Sequence, residues 1–334
     1  TITTAGVNIK IPVTATGSGT LPAYSTTITI PANMTEDGIS RDLTLSWGAQ
    51  TYTTGTTTIN AKIAAVGGTL NAKKLDINAG IGNDALGVLM GQFTYPYNNA
   101  GNTTTYSVRD IAGIPDRMFG LPDNNSNSTT HMMLYLPTVA EDGNIWLNNN
   151  LGADYANIKH GSFDPSKQAT SATDHLAYGS LFQWGRKGDG HELITYINAT
   201  TGSAANSTIG TLNDTPTHAS FITTNGSDWR ISQDNTSWAT EASPNNPCPV
   251  GFRVPTYTEQ NTLVTAASIT NSATAASSTL KFSVAGYRDY KNGSLYDVGT
   301  YGYYWNSSIS YNNARSLIFT SASAIKSTNS RANG

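Results

Sequence analysis

Cysteine is nearly absent from this chain: Cys248 stands alone among 334 residues. An intrachain disulfide is therefore excluded, and cross-links cannot be what holds any part of the chain together. Charge is scarce too, at 12% Asp, Glu, Lys and Arg against about a quarter in an average soluble domain. With a net charge of −3 and no run of Lys and Arg, the chain offers no basic field to a nucleic acid or an anionic membrane. No apolar run approaches the roughly 18 residues that a spanning helix needs. No basic, apolar leader opens the sequence, which starts Thr1-Ile2-Thr3-Thr4 and reads as a mature protein.

Short apolar runs separated by Thr, Ser, Asn and Gly are what the chain does have. That composition predicts an all-β extracellular protein, secreted or held at the cell surface, rather than a cytosolic enzyme. The length is enough for two domains with separate cores.

Residues 5–13 place Val7, Ile9, Ile11 and Val13 on one face of a strand and Asn8, Lys10 and Pro12 on the other. Pro12 cannot donate to a ladder, which suits an edge strand or one inserted from elsewhere. Two readings stay open: a first strand of its own domain, or a donor strand that docks into a neighbouring subunit. Further β-runs follow at residues 24–31, 43–47, 56–66, 69–77 and 88–95, with turns at Gly67-Gly68 and Gly82-Asn83-Asp84. This spacing predicts an immunoglobulin-like β-sandwich over residues 1–125. The polar stretch Asp123 to Thr130 marks the boundary.

After it, residues 132–136 and 144–147 predict a hairpin around Glu141-Asp142-Gly143-Asn144. Thr256 with Glu259 three residues on forms a capping box, so a helix should start there and end near Ala267. Residues 280–287, 301–305 and 314–319 read as closing strands, with Asn292-Gly293 a turn between two of them.

Several segments recur in a fixed order: Trp146-Leu147-Asn148-Asn149-Asn150-Leu151, Tyr178-Gly179-Ser180-Leu181-Phe182-Gln183-Trp184-Gly185, Cys248-Pro249-Val250-Gly251-Phe252, Gly286-Tyr287-Arg288 and Tyr303-Tyr304-Trp305-Asn306-Ser307-Ser308. In this order they resemble the major paralogous domain first named from Fibrobacter succinogenes, frequent in secreted Bacteroidota proteins and a branch of the C-type-lectin-like fold. The resemblance implies a lectin-like α+β domain over residues 126–334 and a short helix before Trp184. It also implies a last strand directly after residues 330–334, bearing a cysteine partner for Cys248. This chain stops where that strand should begin, which would leave an apolar groove to be filled by continuing chain or by another subunit.

Catalytic constellations are hard to assemble. His191-Glu192 lacks the second His of a zinc-protease helix, and His131, His160, His175 and His218 read as surface or hydrogen-bonded residues. Cys248 lies between two prolines without the paired cysteines of the formylglycine-generating relatives of the fold. Lectin-type calcium motifs are one carboxylate short at Trp305-Asn306-Ser307, and Glu141, Asp142 and Asn144 read as a solvated turn. The expectation is no enzyme, no cofactor and no metal. Tyr290, Tyr296, Tyr301 and Tyr311 are candidates for a ligand or partner surface, while Arg288, Asp289 and Arg315 should pair internally. Together these readings predict a noncatalytic structural or adhesive protein, a subunit of an extracellular filament that self-associates into a homopolymer by strand exchange. The competing expectation is a monomeric glycan- or protein-binding lectin-like module.

Overall fold

The computed structural model describes residues 1–75, 87–96, 101–121 and 130–334. It is mainly β, with 35% strand and 8% helix. The chain divides into Thr1–Ala112 and Gly113–Gly334. The boundary expected near residue 125 and the turn at residues 82–84 lie outside the described residues, as does the end of the strand expected over residues 69–77.

In the first unit, β1 (Val7–Pro12), β2 (Gly19–Leu21), β3 (Tyr24–Ile30), β4 (Arg41–Trp47), β5 (Gln50–Tyr52) and β6 (Thr58–Val66) precede the hairpin of β7 (Val88–Pro96) and β8 (Thr103–Asp110). A four-stranded antiparallel sheet runs in the order β1-β6-β4-β3. Alternation along β4 and β6 sends Leu43, Leu45, Ile59, Ala61 and Ile63 inward, where Phe93 and Tyr95 of β7 join them in one core.

The strand considered as a donor is here the edge of that sheet, paired with β6 from Val7↔Ile63 to Pro12↔Thr58. Its four apolar residues share a face but not an environment. Ile11 is 2% exposed and Val7 48%, with Ile9 and Val13 half-buried between them.

The second unit is built from shorter pieces. They are β9 (Ile114–Pro115), β10 (Leu134–Tyr135), β11 (Pro137–Val139), β12 (Ile145–Leu147), β13 (Ile194–Asn198), β14 (Thr201–Ala204), β15 (Thr208–Ile209), β16 (Phe221–Ile222), β17 (Tyr287–Arg288), β18 (Leu295–Tyr296), β19 (Gly302–Ser310), β20 (Asn313–Phe319) and β21 (Ala324–Asn329). Only β19, β20 and β21 form a sheet of three strands; the others pair two by two.

The helix α1 (Tyr257–Ala266) has the expected capping box, with Thr256 and Glu259 bonding each other's backbone N–H. A second helix, α2 (Ser272–Ser277), is capped by Asn271 in the same way. Their buried Leu263, Val264 and Ala275 pack with Phe282, Leu317 and Phe319.

Three local expectations need correction. The hairpin forms between β11 and β12, while β10 pairs with β9 instead. The short helix before Trp184 is a single 3-10 turn, His175–Ala177. Gly179 stops it, because its φ of +81° is left-handed and a Cβ there would lie 2.5 Å from the Leu151 carbonyl oxygen. The strand expected over residues 280–287 is reduced to Tyr287–Arg288. Upstream, the N–H of Val284 bonds Ala172 and that of Gly286 bonds Tyr301, so the backbone is satisfied by unrelated partners rather than by one ladder.

The uneven burial of β1 has a measurable consequence. We expect Ile11→Ala to cost about 2–5 kcal/mol of stability in urea unfolding, and Val7→Ala to stay within about 0.5 kcal/mol. Equal losses would show that the stripe is uniformly packed at home.

Candidate functional site

A frame of buried polar side chains holds the loops of the second unit. The Arg288 guanidinium donates to the carbonyls of Gly293, His191 and Asn206 at 2.9–3.0 Å. It stacks 4.2 Å from the centre of the Phe221 ring. Burial pulls its pKa down to about 10, so it stays a cation at neutral pH. Arg186 reaches the carbonyls of Ser220 and His218 and the Asp189 carboxylate. The Gln183 amide donates to Ile222 and Ala332 and accepts the N–H of Ile222. The pairing expected among Arg288, Asp289 and Arg315 is not formed: Arg288 uses carbonyls, and Arg315 donates to Ile309 and lies over the Tyr257 ring.

Behind this frame runs a slot of about 400 Å³. Among the described residues, the buried apolar side chains of this unit fall into six separate clusters, whereas those of the first unit form one. The slot is lined by Phe282 from one cluster, Phe182 and Cys248 from a second, Leu181 from a third and Leu147 from a fourth. Trp305, which also lines it, anchors its indole N–H on the Phe182 carbonyl at 2.9 Å. Arg253 lines it as well and forms a two-pronged pair with Glu259 at 3.0 and 2.7 Å.

One wall of the slot is an open strand edge. Ala140 donates to Asn144 and Asn148 donates to Leu136, with Thr138 opposite Trp146 between them. In an antiparallel pair, hydrogen-bonded and non-bonded positions alternate. Trp146 therefore exchanges bonds with Thr138, and the N–H and C=O of Ile145 and Leu147 point away from β11. Both residues line the slot, and no strand among the described residues pairs with that edge of β12. The apolar lining follows from the sequence pattern, but the edge could not be read there, because it depends on which of two registers the hairpin adopts.

A second cluster joins His191 and Glu192, weighed in the sequence only for a zinc-protease helix, with Asp189. Asp189, His191 and Glu192 are buried, with their ligand atoms within 4.8 Å of one another. They are hydrogen-bonded to one another and to neighbouring groups. His191 Nε2 accepts the N–H of Gln183 at 3.0 Å, so the neutral ring carries its proton on Nδ1. That proton faces Asp189 Oδ1 at 2.8 Å and Glu192 Oε2 at 3.1 Å. His131 Nε2 meets the other Glu192 oxygen at 2.6 Å. Burial alone would raise the Glu192 carboxyl, but the hydrogen bonds from His131 and His191 outweigh it and hold the group well below its ordinary value. The arrangement ties the loop around residues 189–192 to His131 and Gln183. The turn at Glu141 and Asp142 is likewise spent internally: Asp142 accepts from Asn144 and from the Trp146 indole, and Glu141 from Thr279.

The four candidate tyrosines do not converge. Tyr296 and Tyr301 belong to one row with Tyr287 and Tyr303, at ring separations of 5.7, 4.9 and 6.1 Å. Tyr290 packs instead beside Ile222, Trp229 and Ala332. Tyr311, 94% exposed, stands at the turn between β19 and β20.

Compared with family models, curated proteins and solved structures, the chain matches none of them. No helix among the described residues is long and apolar enough to cross a membrane.

Two outcomes follow from the slot's chemistry. Burial pushes the Cys248 thiol up to about 12, so the folded protein should resist iodoacetamide at pH 8 and react once unfolded; prompt alkylation of the native protein would contradict that burial. The hydrogen bond from Arg253 holds Glu259 at about 2, below its ordinary 4.5. A depressed carboxylate adds stability that is fully present above the unfolded pKa and lost as pH falls through the folded one. Thermal melts from pH 6 to 2 should therefore show wild type losing its advantage over Glu259→Gln between about 4.5 and 2.

Proposed function

We propose that this protein is a noncatalytic structural or adhesive subunit of an extracellular filament, assembled by strand exchange between copies. In this reading the first unit is an immunoglobulin-like sandwich and the second a lectin-like domain of the major-paralogous-domain type. The supporting observation is the slot, which combines a mainly apolar lining drawn from several side-chain clusters with an unpaired strand edge among its lining residues. Such a cleft fits an extended polypeptide, whose backbone would satisfy the edge while alternate side chains fill the interior. Contacts of this head-to-tail kind do not close on themselves, so repetition gives fibres.

Negative-stain electron microscopy and size-exclusion chromatography of the secreted protein test this directly. Filaments or a concentration-dependent ladder of oligomers are expected from the full chain, and monomers after deletion of residues 1–13. Fibres in unchanged yield from the truncated protein would refute donation from that end.

The tyrosine row favours a second reading, a glycan- or protein-binding surface module. Tyr296 is 43% and Tyr301 39% exposed, and rings lying side by side on a β-surface suit stacking against a sugar face. On a glycan array, Tyr296→Ala with Tyr301→Ala should then abolish a signal that the wild type gives as a monomer.

A further inference from the structure

We infer that the strand accepted by the slot is residues 5–13 of a second copy, laid along the open edge of β12. This rests on the strand-exchange reading and names its partner.

The edge sets the first requirement. Two N–H and two C=O groups at Ile145 and Leu147, spaced two residues apart, match extended backbone and nothing more compact. The lining sets the second. A cavity of about 150 Å³ lined by apolar side chains holds one benzene, so a slot of about 400 Å³ has room for two or three aliphatic side chains. A strand presenting Ile9, Ile11 and Val13 on one face supplies that number, and its Lys10 lies on the opposite face, away from an interior of mainly uncharged side chains.

Availability is the third requirement. β4 and β6 carry comparable apolar faces, but each is held on both edges within its sheet, and β3 and β7, which have a free edge among the described residues, keep Ile30, Met90, Phe93 and Tyr95 buried. β1 is held on one edge only, by the ladder to β6. It also under-uses its stripe at home, where Ile11 alone is fully buried. In the slot Ile9, Ile11 and Val13 would all be enclosed. Pro12 is compatible with either place, because an edge strand tolerates a missing donor.

The test adds a synthetic peptide of residues 5–13 to the full-length protein and follows hydrogen exchange residue by residue. Exchange of the Ile145 and Leu147 amides should slow at least tenfold, and a peptide carrying Ile9→Asp and Ile11→Asp should give no protection. In the protein, Ile145→Pro removes one open-edge donor at a residue already 62% exposed. It should abolish peptide protection while the thermal melt is retained. Ile145→Arg, which keeps the backbone donor, serves as the second variant should the proline disturb the hairpin; it should weaken binding without removing the Leu147 protection.

Protection appearing on β6 instead would mean that the peptide invades the first unit's sheet, and would overturn the inference. So would the absence of protection at peptide concentrations near 1 mM, the weak end of measurable affinity. The two levels separate cleanly. Filaments without slot protection sink this docking site and leave the filament reading standing; slot protection without filaments does the reverse.

Discussion

Every backbone N–H and C=O carried into a protein interior needs a partner, and residues 113–334 have too little regular structure to supply one from ladders alone. Guanidinium and amide side chains fill the deficit. Arg288 ties together carbonyls from three separate stretches, Arg186 does the same for the strand around Phe221, and Gln183 clamps Ile222 to Ala332. The charge-poor composition is thus deceptive: several of its few arginines, Arg186, Arg288 and Arg331 among them, are spent in the interior, where each is at most 2% exposed. Removing such a cation would strand several acceptors at once, a larger loss than a surface pair would give.

Against that frame, the β12 edge is one of several strand edges in this unit without a strand partner among the described residues, and it belongs to residues that line the slot. The same unit that finds partners for carbonyls in irregular loops leaves the outer edges of its two-stranded pairs, β12 among them, without a neighbouring strand. The open edge and the cavity share the residues Ile145 and Leu147. The cluster of His131, Asp189, His191 and Glu192 behaves oppositely: ligand-type residues brought together are already satisfied by one another.

Legibility from sequence followed the range of the interactions. Period-two alternation located β3, β4, β6 and β7 to within a few residues, because a half-buried strand writes its environment into alternate positions. The Thr256–Glu259 capping box is likewise local and was visible at once. The break at Gly179 was not visible, since only the approach of Leu151 makes a side chain there impossible. Nor could alternation tell that Val7 and Ile11, equivalent in sequence, differ so much in exposure. The hairpin misassignment has the same origin: residues 134–135 are claimed by Ile114–Pro115, a partner no local pattern names.

The far end of the described chain bears on when the second unit can form at all. Trp184 bonds the Arg331 carbonyl, Gln183 bonds Ala332, and Gly334 exchanges a pair of bonds with Arg288. A polypeptide leaving a ribosome or a secretion pore would have Thr1–Ala112 ready to collapse early. The other unit lacks these bonds until residues 331–334 are present. Until then the Trp184 N–H and the Arg288 backbone are without the partners that the folded unit gives them.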